Sequence, residues 1–230
     1  MQSKNNLLTQ IQLARSIDHT LLKPEATSKQ IQTLCEEALL HQFFGVCVNS
    51  RFVRLCSNLL KGTPVKVISV VGFPLGANEP TVKAFEADWT VKNGAHEVDM
   101  VLAIGPLKEK DYQKVTEDIR TVVTAAQGKV VKVILETALL SDEEKVVACQ
   151  CSQEAGAHFV KTSTGFSTGG ASLADVILMK KTVGEALQVK ASGGIKDTQQ
   201  AFDFLQAGAS RLGTSSGIAL LHGLNTAGGY

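Results

Sequence analysis

Short apolar runs rich in β-branched residues recur along the chain, separated by longer stretches with helical spacing. The runs are SIDHT (16–20), FGVCV (44–48), VKVISVVG (65–72), HEVDMVL (96–102), VVKVILE (130–136), HFVKT (158–162), LQVKA (187–191) and SRLGT (210–214). Such segments predict strands. The stretches at 27–42, 50–60, 79–93, 106–126, 142–156, 171–185 and 197–207 predict amphipathic helices, with a last short one at 215–222 and an extra one near 4–14. Strand–helix alternation implies parallel strands joined by right-handed crossovers. Eight such units in 230 residues fit an α/β fold of the closed (β/α)8 type, a TIM barrel with an extra N-terminal helix. An open doubly wound sheet is the alternative, disfavoured because no GxGxxG fingerprint follows the first strand. Nothing divides the chain, so one domain is expected over 1–230, with a short mobile, glycine-rich tail at about 223–230.

A barrel gathers the C-terminal ends of its strands at one mouth, where the chemistry sits. Polar residues late in the runs are therefore the candidates: Asp18, Cys47, Asp99, Glu136, Lys161 and Lys190. The strand pleat sends Val160 and Lys161 to opposite faces, so an outward Val160 implies an inward Lys161. An inward lysine is costly unless neutral or paired. Two of them facing one cavity repel, which favours an uncharged amine on one, as Schiff-base chemistry needs. The pattern leaves open which lysine is nucleophile and which is helper. Asp99 suits a proton relay beside them, Glu136 an ion-pair or orienting role, and Glu97 is a weaker candidate. The bland alternative for each is a purely structural ion pair. Cys47 either lines the mouth or is a buried, inert thiol.

Three glycine-containing turns follow late strands and suit a phosphate, because bare backbone N–H groups can close around its oxygens. They are Thr162–Ser163–Thr164–Gly165, Ser192–Gly193–Gly194 and Gly213–Thr214–Ser215–Ser216. The last two follow strands seven and eight, the usual phosphate position in barrels. Thr214–Ser215–Ser216 is also expected to cap the final helix. Any one Gly–Gly pair is more often only a turn.

Composition narrows the partners. Hydrophobic residues make up 44%, charged residues 20%, and the formal net charge is +1. With no basic block, neither nucleic acid nor an anionic membrane is expected as a partner. A phosphate must then be held locally. No signal peptide or membrane span is read from the sequence, and the five scattered cysteines suit a reducing cytoplasm. Cys149 and Cys151 lie two apart in a helical stretch and point to different faces, and no histidine has metal-ligand spacing, so no metal is expected. Trp89 is assigned to a helix packed on the barrel.

The motifs IDHTLLKPEAT (17–27), VCVNSRFV (46–53), VVGFPLG (70–76), EVDMVLAIG (97–105), KVILET (132–137), FVKTSTGF (159–166), VKASGGI (189–195) and RLGTSSG (211–217) follow one another along nearly the whole chain. In this order they resemble the deoxyribose-phosphate aldolases, class I aldolases of the (β/α)8 type. The resemblance implies Lys161 as the Schiff-base nucleophile, Lys190 as the lysine that perturbs it, and Asp99 as the proton-relay carboxylate. It implies reversible cleavage of 2-deoxy-D-ribose 5-phosphate to acetaldehyde and D-glyceraldehyde 3-phosphate, with no cofactor, small sugar phosphates and aldehydes as partners, and a homodimer. The SGG and GTSS turns resemble the family's phosphate site. Two positions depart from the pattern. Phe166 stands where some members carry a phosphate-site lysine, which makes Lys196 the substitute candidate. Ser192 stands where alanine is common. Tyr230 matches a C-terminal tyrosine of some relatives and is a candidate for the mouth. Other Schiff-base barrels, and a non-catalytic barrel that senses sugar phosphates, are the competing readings.

Overall fold

In a computed structural model, which describes residues 10–224, eight parallel strands close into a barrel in sequence order. They are β1 (Ile17–Leu21), β2 (Gly45–Val48), β3 (Lys66–Val71), β4 (Glu97–Val101), β5 (Val130–Ile134), β6 (Phe159–Lys161), β7 (Gln188–Ser192) and β8 (Ala209–Thr214). β8 returns to β1, pairing Ile17 with Leu212 and Asp18 with Gly213. Closure removes every free sheet edge, so a parallel sheet this short is stable. The α-helices that follow the strands are α1 (Ser28–Leu40), α2 (Val53–Leu59), α3 (Pro80–Lys92), α4 (Ile104–Lys108), α5 (Tyr112–Ala125), α6 (Asp142–Glu154), α7 (Leu173–Val183), α8 (Thr198–Gln206) and, after β8, α9 (Gly217–Leu221).

Local chemistry accounts for where these helices begin. Thr27 and Ser141 close reciprocal capping boxes with Gln30 and Glu144 on α1 and α6. Asp111, Ser172 and Asp197 cap α5, α7 and α8. One expected element is split. The stretch 106–126, read as a single helix, is α4 and α5, because Lys110 adopts φ 61° and Asp111 restarts the helix as an N-cap. Residues 10–14 are helical, as expected of the extra N-terminal helix, and its earlier part falls outside the described residues. Of the expected tail, Gly223 and Leu224 are described and the remainder, with Tyr230, is not.

The apolar core lies between strands and helices. Val160, Val131, Val133, Val98, Val189 and Leu212 belong to it, all buried, as does the partly buried Trp89. Each such side chain contributes about 1.5–3 kcal/mol through burial. Inside the barrel a separate apolar cluster of Leu22, Cys47, Ile68 and Val70 fills the side formed by β2 and β3. Val160 thus faces outward and Lys161 inward, as the pleat requires. Among the described residues no helix is long and apolar enough to cross a membrane.

Candidate active site

The other side of the barrel interior carries a charged cluster. Strands contribute alternate residues inward, so Glu97 and Asp99 on β4, Lys132 on β5, Lys161 on β6, Lys190 on β7, Arg211 on β8 and Asp18 on β1 face one another. All seven are nearly or fully buried. Asp99 is the hub. Its Oδ1 accepts from Lys132 Nζ at 2.7 Å, while Oδ2 accepts from Lys190 Nζ at 2.8 Å and from Lys161 Nζ at 3.0 Å. Lys190 also pairs with Asp18, and Lys132 with Glu97 at 2.6 Å. Arg211 bridges Asp18 Oδ1 at 3.0 Å and Glu97 Oε2 at 3.1 Å.

The partner count separates the two lysines that the sequence could not tell apart. Lys190, Lys132 and Arg211 each touch two carboxylates. Among the described residues Lys161 pairs with one carboxylate oxygen, which it shares with Lys190. Burial pushes the Lys161 amine below the ordinary lysine range; the Asp99 carboxylate opposes this and the Lys190 cation reinforces it. Burial also works against a charged Lys190, but Asp18 and Asp99 hold it well above the ordinary value. Burial would raise the Asp99 carboxyl, yet Lys132, Lys190 and Lys161 together keep it well below the usual carboxylate range. Lys161 is thereby the group whose proton the cluster holds least firmly.

Cys47 is fully buried and belongs to the interior cluster, close enough to the lysines to feel their field. Burial pushes its thiol up, so it stays protonated. Glu136 stands apart from the ion pairs. It sits at φ 57°, and its carboxylate accepts from the Thr164 hydroxyl and, at 3.3 Å, from the Thr164 N–H. The Thr164 hydroxyl oxygen accepts from Phe166 N–H at 3.0 Å, so Glu136 braces the loop after Lys161.

Beyond the amines, Gly193, Gly194, Gly213, Thr214, Ser215 and Ser216 line one small depression. Gly193 and Gly194 have φ of 85° and 73°, a conformation other residues rarely adopt. The Thr162 hydroxyl donates to Ser192 O and accepts from Ser192 N–H, both at 3.0 Å, and the Ser192 hydroxyl donates to Ser163 O at 2.6 Å. These bonds join the ends of β6 and β7 beneath the depression. Gly165 is half-buried beside it, near the position a Cβ on Gly193 would occupy. The expected side-chain cap of α9 does not form: Thr214 Oγ1 accepts from Ser216 N–H at 3.0 Å instead. Lys196 is exposed, outside the residues that line the depression. Phe166 is exposed and meets the Phe73 ring edge-on at 5.2 Å. Among the described residues no group of three or more His, Cys, Asp or Glu is arranged to hold a metal ion.

Sequence reasoning passed over Lys132 and Arg211 and ranked Glu97 low. The signal was present in Lys132, an isolated cation inside the apolar run VVKVI, but no glycine turn follows it. Arg211, between Ser210 and Leu212 near the start of β8, gave a weaker one.

Fold and interior together are those of the barrel aldolases. A family model described as DeoC/LacD family aldolase matches residues 13–223, and the chain belongs to that family. A deoxyribose-phosphate aldolase from Bdellovibrio bacteriovorus is 58% identical over 96% of this chain and 100% of its own length. Among solved structures, a putative deoxyribose-phosphate aldolase from Coccidioides immitis superimposes with a TM-score of 0.90 at 42% identity, covering 92% of this chain and 85% of the other. A tetrameric deoxyribose phosphate aldolase from Aeropyrum pernix gives a TM-score of 0.85 at 34% identity, covering 96% and 97%.

Proposed function

We propose that this aldolase cleaves 2-deoxy-D-ribose 5-phosphate reversibly to acetaldehyde and D-glyceraldehyde 3-phosphate, with Lys161 as the Schiff-base nucleophile. The observation that carries the assignment of Lys161 is its single, shared carboxylate contact beside a doubly paired Lys190. The neutral amine adds to C1 of the open-chain sugar, and water leaves to give an iminium. A base removes the C3 hydroxyl proton, the C2–C3 bond breaks, and its electron pair passes into the iminium to form an enamine. Glyceraldehyde 3-phosphate departs. Protonation of the enamine at C2 and hydrolysis of the resulting imine release acetaldehyde and restore the amine. Lys190 and Asp99 serve this cycle as a cation and a proton carrier, with Asp99 2.8 Å from Lys190 and 3.0 Å from Lys161. The iminium is the electron sink, so the cycle as written requires no metal.

The phosphate is held over Gly193, Gly194 and the Gly213–Ser216 turn, with Thr162, Gly165 and Ser192 supporting that surface. A single domain, a cytoplasmic setting and a homodimer complete the reading. Trapping tests its centre. Incubation with deoxyribose 5-phosphate and borohydride, followed by peptide mass spectrometry, is expected to give a reduced two-carbon adduct on Lys161. An adduct on Lys190 reverses the lysine roles. No adduct on folded protein that still binds the sugar phosphate leaves a binding barrel without the chemistry.

A further inference from the structure

The interior cluster holds four basic groups, Lys132, Lys161, Lys190 and Arg211, against three carboxylates, Asp18, Glu97 and Asp99. Two other titratable groups face it. Cys47 from β2 is a protonated thiol, and Glu136 after β5 gives its carboxylate to Thr164. An interior of low dielectric penalises any uncompensated charge. With three anions, the cluster is balanced when three of the four basic groups are cationic. Arg211 is always one of them, because a guanidinium does not lose its proton in proteins. It is also stacked on aromatic rings. It is 6% exposed, and its guanidinium carbon lies 3.2 Å from the centre of the Phe44 ring and 5.5 Å from that of Phe159.

We propose that Arg211, whose carboxylate partners are Asp18 and Glu97 while that of Lys161 is Asp99, is a positioning residue that sets the protonation state of the reactive amine by supplying the third fixed cation. It does so through Asp18. One Asp18 oxygen accepts from Arg211 and the other from Lys190. With Arg211 present, Asp18 is divided between two cations, and Lys190 keeps its second contact on Asp99 Oδ2, the only carboxylate oxygen Lys161 meets among the described residues. Without Arg211, Asp18 is free to satisfy Lys190 alone, and Asp99 Oδ2 passes to Lys161. The cluster is then balanced by protonating Lys161, which removes its nucleophilic lone pair. This inference rests on Lys161 being the nucleophile.

The test is the pH profile of kcat/KM for deoxyribose 5-phosphate cleavage, which reports the free enzyme. Arg211→Met is expected to move the acid limb up by about one pH unit, for a unit charge lost at short range in a buried cluster. That corresponds to about a tenfold loss below the limb and little loss on the alkaline plateau. Arg211→Lys restores the limb. Glu97→Gln, which removes an anion, moves it down, and the double variant Glu97→Gln/Arg211→Met, again balanced, returns it toward its original place. A merely structural Arg211 lowers the whole profile and leaves its limb in position, and that result overturns the inference. If Arg211→Met does not fold, Glu97→Gln alone decides: an unmoved or raised limb overturns it. Borohydride trapping on the unmodified protein keeps the two questions apart. An adduct away from Lys161 removes the underlying reading, whereas an adduct on Lys161 with an unmoved limb removes only the role of Arg211.

Discussion

The two halves of the candidate site are built from different materials. The amine half is made of side chains on six barrel strands, tied by seven ion-pair contacts around Asp18, Glu97 and Asp99. The cradle half is made largely of backbone, on loops where Gly193 and Gly194 hold positive φ. Rigid strands suit chemistry that depends on a charge count, because a shift of an ångström breaks an ion pair. Glycine loops suit an anion, because backbone N–H groups offer donors without a charge of their own. The halves should therefore fail differently, one in kcat and the other in KM.

Lys161→Leu breaks the amine half most completely. It should lower kcat at least about a thousandfold, since nothing else supplies the covalent step. The fold should survive, because leucine leaves Asp99 its bonds to Lys132 and Lys190. Phosphate affinity, measured by competition of inorganic phosphate with a fluorescent sugar phosphate, should be unchanged. A loss of both together would mean the two halves are one unit.

Asp99→Asn is the next largest. Lys132 keeps Glu97 and Lys190 keeps Asp18, while Lys161 loses its sole carboxylate among the described residues. An excess buried cation should cost about 3 kcal/mol in stability. Loss of the proton carrier should reduce kcat by about a hundredfold. The sign of the pH effect follows from the pairing. Asp99 favours the ammonium form of Lys161, so removing it lowers that pKa further, and the acid limb of kcat/KM moves to lower pH. A limb that moves upward would show that Lys161 is not the titrating group.

The same division governs what could be read from the sequence. All eight strands were legible, because each apolar run is bounded by turn residues and the helical stretches between are long. Inward lysines were legible where the pleat put Val160 and Lys161 on opposite faces. The charge count was not. Lys132 lacks a following glycine turn of the kind that draws attention to Lys161 and Lys190, Arg211 sits early in its run, and the partners of both come from strands 33 to 193 residues away. Which lysine is neutral depends on how three carboxylates are shared, a property of the closed barrel and of no single strand. The break between α4 and α5 escaped because a positive φ at a lysine, here Lys110, carries no residue signature.

Gly193→Ala should damage the cradle alone. Its Cβ would lie 3.2 Å from Gly170 Cα and 3.5 Å from Ser163 Cβ, at a φ of 85° that alanine adopts at a cost of about 1–2 kcal/mol. KM for deoxyribose 5-phosphate should rise about tenfold with kcat within about twofold. The KM for unphosphorylated deoxyribose should stay the same. A matched rise for both sugars would mean that the loop shapes the sugar site and not a phosphate cradle.

The smallest effect expected is that of Ser192→Ala, and it tests how far backbone accounts for the cradle. The Ser192 hydroxyl donates to Ser163 O at 2.6 Å, a contact between loops beneath the depression. Its removal should cost about 1 kcal/mol, the net worth of one hydrogen bond, and lower the Tm by about 2–4 °C for a domain of this size. The Thr162 hydroxyl still ties the two strands through both the N–H and the C=O of Ser192, so the glycine turn keeps its place. KM for the phosphorylated sugar should therefore change by less than about threefold, within what a slightly looser loop produces. A tenfold rise confined to the phosphorylated sugar would mean that the hydroxyl itself reaches the anion. The cradle would then depend on side chains as the amine half does, and the contrast between the two halves would reduce to charge alone.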